Sequence, residues 1–385
     1  MSVTAAGGFR SAGVAAGIKS SGALDLALVV NDGPTDVAAG VFTRNQVKAA
    51  PVLWSQQVLT SRRLRAAVLN SGGANACTGP GGFQDTHATA ERVATVLDCG
   101  AAEVAVCSTG LIGERLPLAA LLSGVDKAAA VLAATPEAGL AAASAVLTTD
   151  TVPKQAAVSR GGWTIGGFAK GAGMVAPSLA TMLCVLTTDA AVDGSALNAV
   201  LRRATSETFE HLDIDGACST NDTVLLMASG ASGTVPDDEE LAAGVQQVCH
   251  QLVTSLQADA EGVTKEIAIT VRGAADSTEA LAAARAVARD NLVKTAFFGS
   301  DPNWGRIAAA SGASPATVHA ETLDIWINGV LLCQGGAVAA DRSKADLSGR
   351  EITVEIDLHL GDGQATVLTT DLSHGYVEEN SAYSS

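Results

Sequence analysis

The sequence predicts an α+β protein built from layers of helix and sheet. Three observations lead there. Strand-like and helix-like segments mix along the whole chain, and strict strand–helix–strand repetition is absent. The late strands at 323–328, 352–358 and 365–369 follow one another closely, which suggests antiparallel neighbours rather than a doubly wound parallel sheet.

Strand segments are expected at Ala67–Asn70, Val104–Cys107, Thr164–Phe168, Met182–Thr187, Val224–Ala228, Ile267–Val271, Leu323–Asn328 and Ile352–Leu358. The last is the clearest. Ile352, Val354, Ile356 and Leu358 alternate with Thr353, Glu355 and Asp357, giving one apolar and one wet face. Helical patterns occupy Thr86–Leu97, Leu116–Leu132, Ser195–Leu212 and Ser277–Arg289. Another follows the acidic first turn Asp237–Glu240, where Leu241, Val245, Val248, Leu252 and Leu256 recur at helical steps.

The 385 residues are enough for two or three domains or one large two-lobed body, and no internal repeat or low-complexity linker divides them. Hydrophobic residues make up 48% but aromatics only 3%, so the core must be built from Ala, Val and Leu. A net charge of −16 argues against nucleic acid and anionic membrane surfaces, both of which demand a basic face. The seven cysteines form no CxxC pair and no zinc-spaced cluster with histidine, so no metal is expected and most should be small buried hydrophobes in a reducing compartment. The first thirty residues lack the apolar centre of a signal peptide. Gly171 to Thr188 carry no charge, but Pro177, Ser178 and three threonines make a loop and a buried strand the better reading than a membrane span. A soluble cytoplasmic protein is expected.

The stretch Lys170–Leu183, KGAGMVAPSLATML, carries the chemistry. It sets the small Ala180 before the hydroxyl of Thr181, with a glycine-rich approach and a hydrophobic exit. That arrangement suits a peptide bond that cuts itself. The Thr181 oxygen attacks the Ala180 carbonyl, the acyl group shifts from nitrogen to oxygen, and water releases a chain starting at Thr181. The freed α-amine, with an ordinary pKa of about 7.7–8.0, is a base for its own hydroxyl. A threonine buried in a strand is the competing reading of the same residues. If the bond breaks, residues 1–180 and 181–385 must remain one folded unit.

Acyl transfer also needs donors aimed at the oxyanion. Cys107–Gly113, CSTGLIG, follows a strand and turns on glycine, so the Thr109 hydroxyl and the Gly110 N–H could form such a pair. Strand-to-turn segments with glycine are common, and an ordinary turn fits as well. There is no GxSxG elbow, no phosphate loop and no HExxH, and the six histidines are isolated from one another. A nucleophile that carries its own base gains weight from those absences.

Together with LNSGGANACTG (69–79), STGLIG (108–113), TTDTVPK (148–154), FFGSDPNWGRI (297–307) and the terminal GDGQATVLTTDLSHGYVEENSAYSS, the cut-site stretch resembles the ornithine acetyltransferase family. These glutamate N-acetyltransferases belong to the arginine biosynthesis cycle. The resemblance runs in order from VFTRN (41–45) to the C-terminus. It implies a layered α/β/β/α sandwich-like body with mixed and antiparallel sheets, similar to the self-processing aminopeptidases. Thr181 matches the family's cleavage residue and nucleophile, with Ala180 ending the N-terminal chain. Thr109 and Gly110 match its oxyanion pair. Thr148, Lys170, Thr181, Glu261, Asn380 and Ser385 match residues that line the substrate site; the family takes Thr or Ser at the last position.

The implied reaction is ping-pong transfer from N-acetylornithine to glutamate through an acetyl-Thr181 ester. No metal or nucleotide cofactor is implied, and acetyl-CoA is an alternative acetyl donor in some members. The family assembles as dimers of the two-chain unit. Glu261 falls at the end of a helical segment, where a carboxylate opposes the helix dipole; pairing with a substrate ammonium would explain it, and simple exposure is the other reading. Asn380 and Ser385 lie in a polar tail that would ordinarily be disordered, and the resemblance implies a tail ordered over the site. Two other readings remain: a self-processing aminopeptidase that passes the acyl group to water, and a non-catalytic ligand-binding protein with one uncut chain.

Overall fold

A computed structural model describes residues 2–176 and 182–382, in two compact units. The first holds residues up to Glu210 and Ala217–Leu256, and the second His211–Gly216 and residues from Gln257 onward.

In chain order the first unit contains β1 (Phe9–Val14), β2 (Leu26–Asn31), β3 (Val37–Phe42), α1 (Ala50–Val58), β4 (Ala66–Ser71), α2 (Gly79–Leu97) and β5 (Val104–Thr109). There follow α3 (Leu118–Ala130), α4 (Pro136–Ala145), β6 (Lys154–Arg160), β7 (Trp163–Lys170), β8 (Leu183–Thr188), α5 (Gly194–Glu207), β9 (Thr223–Ala228) and α6 (Asp238–Ala258).

These strands make two mixed sheets, in the orders β1-β2-β4-β5 and β3-β9-β8-β7-β6. Ala27, Val29, Leu69 and Cys107 from the first sheet pack with Phe168, Val185, Leu225 and Met227 from the second, so the sheets lie face to face. On the far side of the first sheet, Leu28, Val68 and Val104 pack against Val93 of α2 and Val125 of α3. Every residue of β2, β4, β5, β8 and β9 is therefore buried, which is why these strands read as unbroken apolar runs. The close approach of α6 to the second sheet depends on a glycine. A Cβ at Gly244 would lie 2.5 Å from the ring of the buried Trp163 of β7. Helix, two sheets and helix are the layers the sequence led us to expect.

The second unit contains β10 (Glu266–Ala274), α7 (Ser277–Arg289), α8 (Asn291–Phe298), α9 (Trp304–Gly312), β11 (Asp324–Ile327), β12 (Val330–Gln334), β13 (Ala337–Val338), β14 (Glu351–Asp357), β15 (Gly363–Thr370) and α10 (His374–Ala382). One sheet, ordered β13-β12-β11-β14-β10-β15, packs Ile267, Ile269, Val354 and Val367 against Ala280, Ala284 and Val287 of α7. The Asp276 side chain accepts from Glu279 N and so caps α7. One expectation needs correcting. β11 and β14 do pair antiparallel, but β15 is not the neighbour of β14. β10 lies between them, parallel to β14 and antiparallel to β15. Alternation within a strand fixes which face is buried, and it carries no information about which strand lies beside it.

Other differences are local. The helix expected at Thr86 starts at Gly79, because Pro80 sits in its first turn, where a missing N–H does no harm. The helix expected to reach Leu212 stops at Glu207, and Thr208 leaves helical geometry with φ −128° and ψ −80°. Among the described residues, no helix is long and apolar enough to cross a membrane.

Candidate active site

β5 ends at Thr109, whose side chain is 2% exposed. The chain then turns at Gly110, with φ +132°, a conformation that other residues rarely adopt. A Cβ there would meet Gly73 N at 2.4 Å, so the position is closed to anything larger. The turn is tied to the Ser71–Ala74 segment after β4, since Gly73 N donates to Thr109 O at 3.0 Å and Ala74 N to Leu111 O at 2.9 Å. The two glycine-bearing motifs read from the sequence, at 69–79 and 108–113, are thus one structural feature.

Lys170 closes β7 and is 1% exposed. An isolated lysine would ordinarily be a solvated surface charge; this one is buried because it has acceptors. Its Nζ donates to Thr148 Oγ1 at 2.8 Å and to Thr109 Oγ1 at 3.3 Å, and lies 3.8 Å from Asp150 Oδ2. In the antiparallel pairing of β7 with β8, Lys170 stands opposite Leu183, and Leu183 stands beside Thr223 of β9. Three sequence-derived residues, Thr109, Thr148 and Lys170, therefore meet at the strand ends from which the chain runs back toward residue 181. Ala180, Thr181 and Ser385 lie outside the described residues.

Asp150 organises the charge. Its Oδ1 accepts from Lys154 Nζ and from Gly171 N, both at 2.6 Å, and its Oδ2 from Thr148 N at 3.2 Å. Burial by itself would raise this carboxyl. Lys170 and Lys154, with the Gly171 N–H, outweigh it and hold Asp150 below the usual carboxylate range. The result is an ionised carboxylate between two buried ammonium groups.

In the second unit, Glu261 follows the end of α6 by three residues and is 9% exposed. Its Oε2 accepts from Asn380 Nδ2 at 2.7 Å. Asn380 lies on α10, so this part of the polar tail is helical. Ser373 Oγ donates to Gly262 O at 2.5 Å, which ties the start of α10 to the turn that carries Glu261, and Tyr376 OH donates to Asp215 Oδ2 at 3.2 Å, which ties α10 to the His211–Gly216 segment.

The ArgJ family profile matches residues 10–385. The chain belongs to the ArgJ family. A protein of Mycolicibacterium paratuberculosis named arginine biosynthesis bifunctional protein ArgJ is 63% identical over 389 aligned positions, covering 100% of this chain and 96% of that protein. Its namesake in Thermobifida fusca is 58% identical, with both chains fully covered. Among solved structures, ornithine acetyltransferase of Mycobacterium tuberculosis, complexed with ornithine, is 66% identical over 46% of this chain and 95% of that one, with a TM-score of 0.46. An ArgJ structure from Bacillus halodurans is 35% identical over 51% of this chain and 97% of that one, with a TM-score of 0.49. Family membership makes the chain an acyltransferase of arginine biosynthesis.

Within this ArgJ-family site, several residues escaped the sequence reading. Asp150 and Lys154 lie inside the TTDTVPK motif, yet only Thr148 was singled out there. An acidic residue four positions before a lysine was the available signal. Asn221 is buried and donates to both Ala74 O at 2.6 Å and Ser108 O at 2.8 Å, bracing the turn at Thr109 and Gly110. Ser108 Oγ donates to Asn70 Oδ1 at 2.6 Å, and Asn70 Nδ2 to Gly73 O at 3.1 Å. Lys19, from the N-terminal segment, donates to Leu147 O at 2.7 Å and is lowered by burial and by the charge of Lys170. No local pattern in the sequence marks Asn221, because its partners Ala74 and Ser108 are distant along the chain, and Lys19 reaches both the nearby Leu24 O and the distant Leu147 O.

Proposed function

We propose that the chain cuts itself between Ala180 and Thr181 and then carries an acetyl group from N-acetylornithine to glutamate on the Thr181 oxygen. In the cut, a new bond joins Thr181 Oγ to the Ala180 carbonyl carbon, the Ala180–Thr181 C–N bond breaks, and the hydroxyl proton ends on the departing nitrogen. Water then hydrolyses that ester, leaving an Ala180 carboxylate and a free Thr181 hydroxyl and amine. In transfer, the amine takes the hydroxyl proton, the oxygen attacks the acetyl carbonyl, and ornithine leaves with a proton from the amine. The glutamate amine then attacks the ester carbonyl, the bond from the acetyl carbon to Thr181 Oγ breaks, the proton shed by the glutamate nitrogen passes through the α-amine to the Thr181 oxygen, and N-acetylglutamate departs. Each half-reaction is balanced without a metal or a nucleotide.

The observation that carries this reading is the convergence of Lys170, Thr109 and Thr148 opposite the start of β8. The Thr109 hydroxyl and the Gly110 N–H are suited to a two-donor oxyanion hole, and a buried lysine is suited to a substrate carboxylate. Strand pairing supports survival of one body after the cut. β7, before the cut, pairs with β8, after it, and β3 pairs with β9. We assign Glu261 and Asn380 to the distal ammonium and polar groups of the substrate, and Ser385 to the same task. Free amino acids as substrates fit a cytoplasmic enzyme.

The relatives' designation as bifunctional supports a second activity. We assign to it acetylation of glutamate with acetyl-CoA as donor. One assay tests both readings. Purified protein given N-acetylornithine should form N-acetylglutamate only when glutamate is present, and acetyl-CoA should replace the donor. Release of acetate at the same rate without glutamate would favour the hydrolytic aminopeptidase chemistry instead.

A further inference from the structure

Lys19 stands at the edge of the Thr109, Thr148 and Lys170 cluster, and the chemistry above gives it no part. The turn that carries it is pinned. Asp25, which has no exposed surface, accepts from Ala16 N at 2.6 Å through Oδ1 and from Gly17, Ile18 and Lys19 N at 2.6–3.1 Å through Oδ2. Asp25 O accepts from Ser71 N at 2.9 Å, which fixes the turn to the end of β4. There the Lys19 stem runs past Gly72. A Cβ on Gly72 would lie 3.3 Å from Lys19 Cγ, and a Cβ on Gly110 would lie 2.7 Å from Gly72 C. Gly72 is thus all that separates the stem from the turn at Gly110.

The head group arrives beside Lys170. Lys19 Nζ donates to Leu147 O at 2.7 Å and to Leu24 O at 3.2 Å, while Lys170 Nζ donates to Thr148 Oγ1. Two ammonium groups therefore hold consecutive residues, but their surroundings differ. Lys170 is 1% exposed, with Thr148, Thr109 and Asp150 around its Nζ. Lys19 is only half-buried, and of the three donors of an ammonium two are placed among the described residues. The charges here do not cancel. Asp150 lies between Lys154 and Lys170, and Asp25 is held by backbone N–H groups, so three lysines face two carboxylates. Burial lowers the Lys19 ammonium, Asp25 raises it, Lys170 lowers it further and Asp150 raises it. In a chain of net charge −16 this is a local excess of positive charge, suited to an anion.

Bond lengths select the anion. In an N-acetylated amino acid, three bonds separate the acetyl carbonyl carbon from the α-carboxylate carbon, about 3–4 Å. An acetyl group held at Thr109 and Gly110 therefore keeps its α-carboxylate beside that turn, while the distal group of the same molecule extends beyond it. We propose that Lys19 binds the α-carboxylate common to N-acetylornithine and glutamate. This rests on the transfer reading given above. The third N–H of Lys19 donates to a carboxylate oxygen, and the negative charge relieves the repulsion between Lys19 and Lys170. Donor and acceptor use the same contact in turn, as a site visited twice in one cycle requires.

The test is Lys19→Met, which keeps the length of the stem and removes the charge, with Lys19→Arg as the rescue. Each full-length variant is assayed for transfer from N-acetylornithine to glutamate, with a thermal melt alongside. N-acetylputrescine, the same donor without its α-carboxylate, is added as a competitive inhibitor. In Lys19→Met, KM for N-acetylornithine and for glutamate should each rise by about 10–100-fold with kcat within about threefold. The inhibition constant of N-acetylputrescine should stay within about threefold of wild type, because that ligand never made the contact. Lys19→Arg should recover most of the loss. An equal weakening of N-acetylornithine and N-acetylputrescine would overturn the proposal, since a displaced turn is blind to the carboxylate. So would a rise in KM for glutamate alone, which would put the distal carboxylate at Lys19. If Lys19→Met does not fold, Lys19→Gln, which keeps a donor without the charge, is read on the same scale. A wild type that moves no acetyl group from N-acetylornithine to glutamate would instead overturn the transfer reading, and this assignment with it.

Discussion

Lys170 Nζ donates to Thr109 Oγ1 at 3.3 Å, linking the end of β7 in one sheet to the end of β5 in the other. A single buried lysine thus touches the proposed oxyanion donor and the proposed substrate residue Thr148 together. Replacing it with methionine keeps the length and removes the charge. Transfer kcat/KM should fall by about 100-fold or more. The folded state should survive, because Asp150 retains Lys154. Steady-state kinetics beside a thermal melt checks both parts.

Thr109→Ala removes one oxyanion donor and should slow cutting or transfer by about 10²–10³. Thr109→Ser should restore most of the rate, because it returns the hydroxyl. Gly110→Ala is a different kind of change. With φ at +132° and a new Cβ 2.4 Å from Gly73 N, it should destabilise the protein by about 1–3 kcal/mol. A denaturant titration separates this loss from the kinetic one.

Asp150→Asn leaves two buried lysines without their shared carboxylate, and breaking a buried pair in this way costs about 3–5 kcal/mol. The same residue sets an acid limit. Its folded pKa lies below the unfolded value of about 3.9, so its stabilisation is complete above that pH and is lost as pH falls through the depressed value. Unfolding midpoints measured from pH 6 to pH 3 should drop in the wild type, and less steeply in Asp150→Asn.

Deleting 380–385 removes the Asn380 partner of Glu261 and the terminal Ser385, while α10 keeps its anchors at Ser373 and Tyr376. KM for N-acetylornithine should rise with little change in the melting temperature. Glu261→Gln should do the same. An unchanged KM in both would remove this segment from the substrate site.

Much of this was legible locally. The alternation in Ile352–Leu358 reappears in β14, with Ile352, Val354 and Ile356 buried and Thr353 and Glu355 exposed, but Asp357, expected on the wet face, is buried. Ser277–Arg289 is a helix with the same ends as expected. β2 and β3 were missed, although β2 is as apolar as β4 and Asp32-Gly33-Pro34 marks the turn between them. The strand order of the second unit was hidden because β10 enters between β14 and β15 from about eighty residues earlier in the chain. Near the candidate site, Thr109, Gly110, Thr148 and Lys170 were singled out through motifs, whereas Asn221 was not. Its partners are Ala74 and Ser108, and only the folded chain brings those together.

The central claim is self-cleavage, and an intact-mass spectrum of the denatured, active protein tests it most directly. Two species matching residues 1–180 and 181–385 are predicted for the wild type, and one uncut, inactive chain for Thr181→Ala. A single full-length mass from active wild-type protein, or turnover by the Thr181→Ala variant, would contradict it.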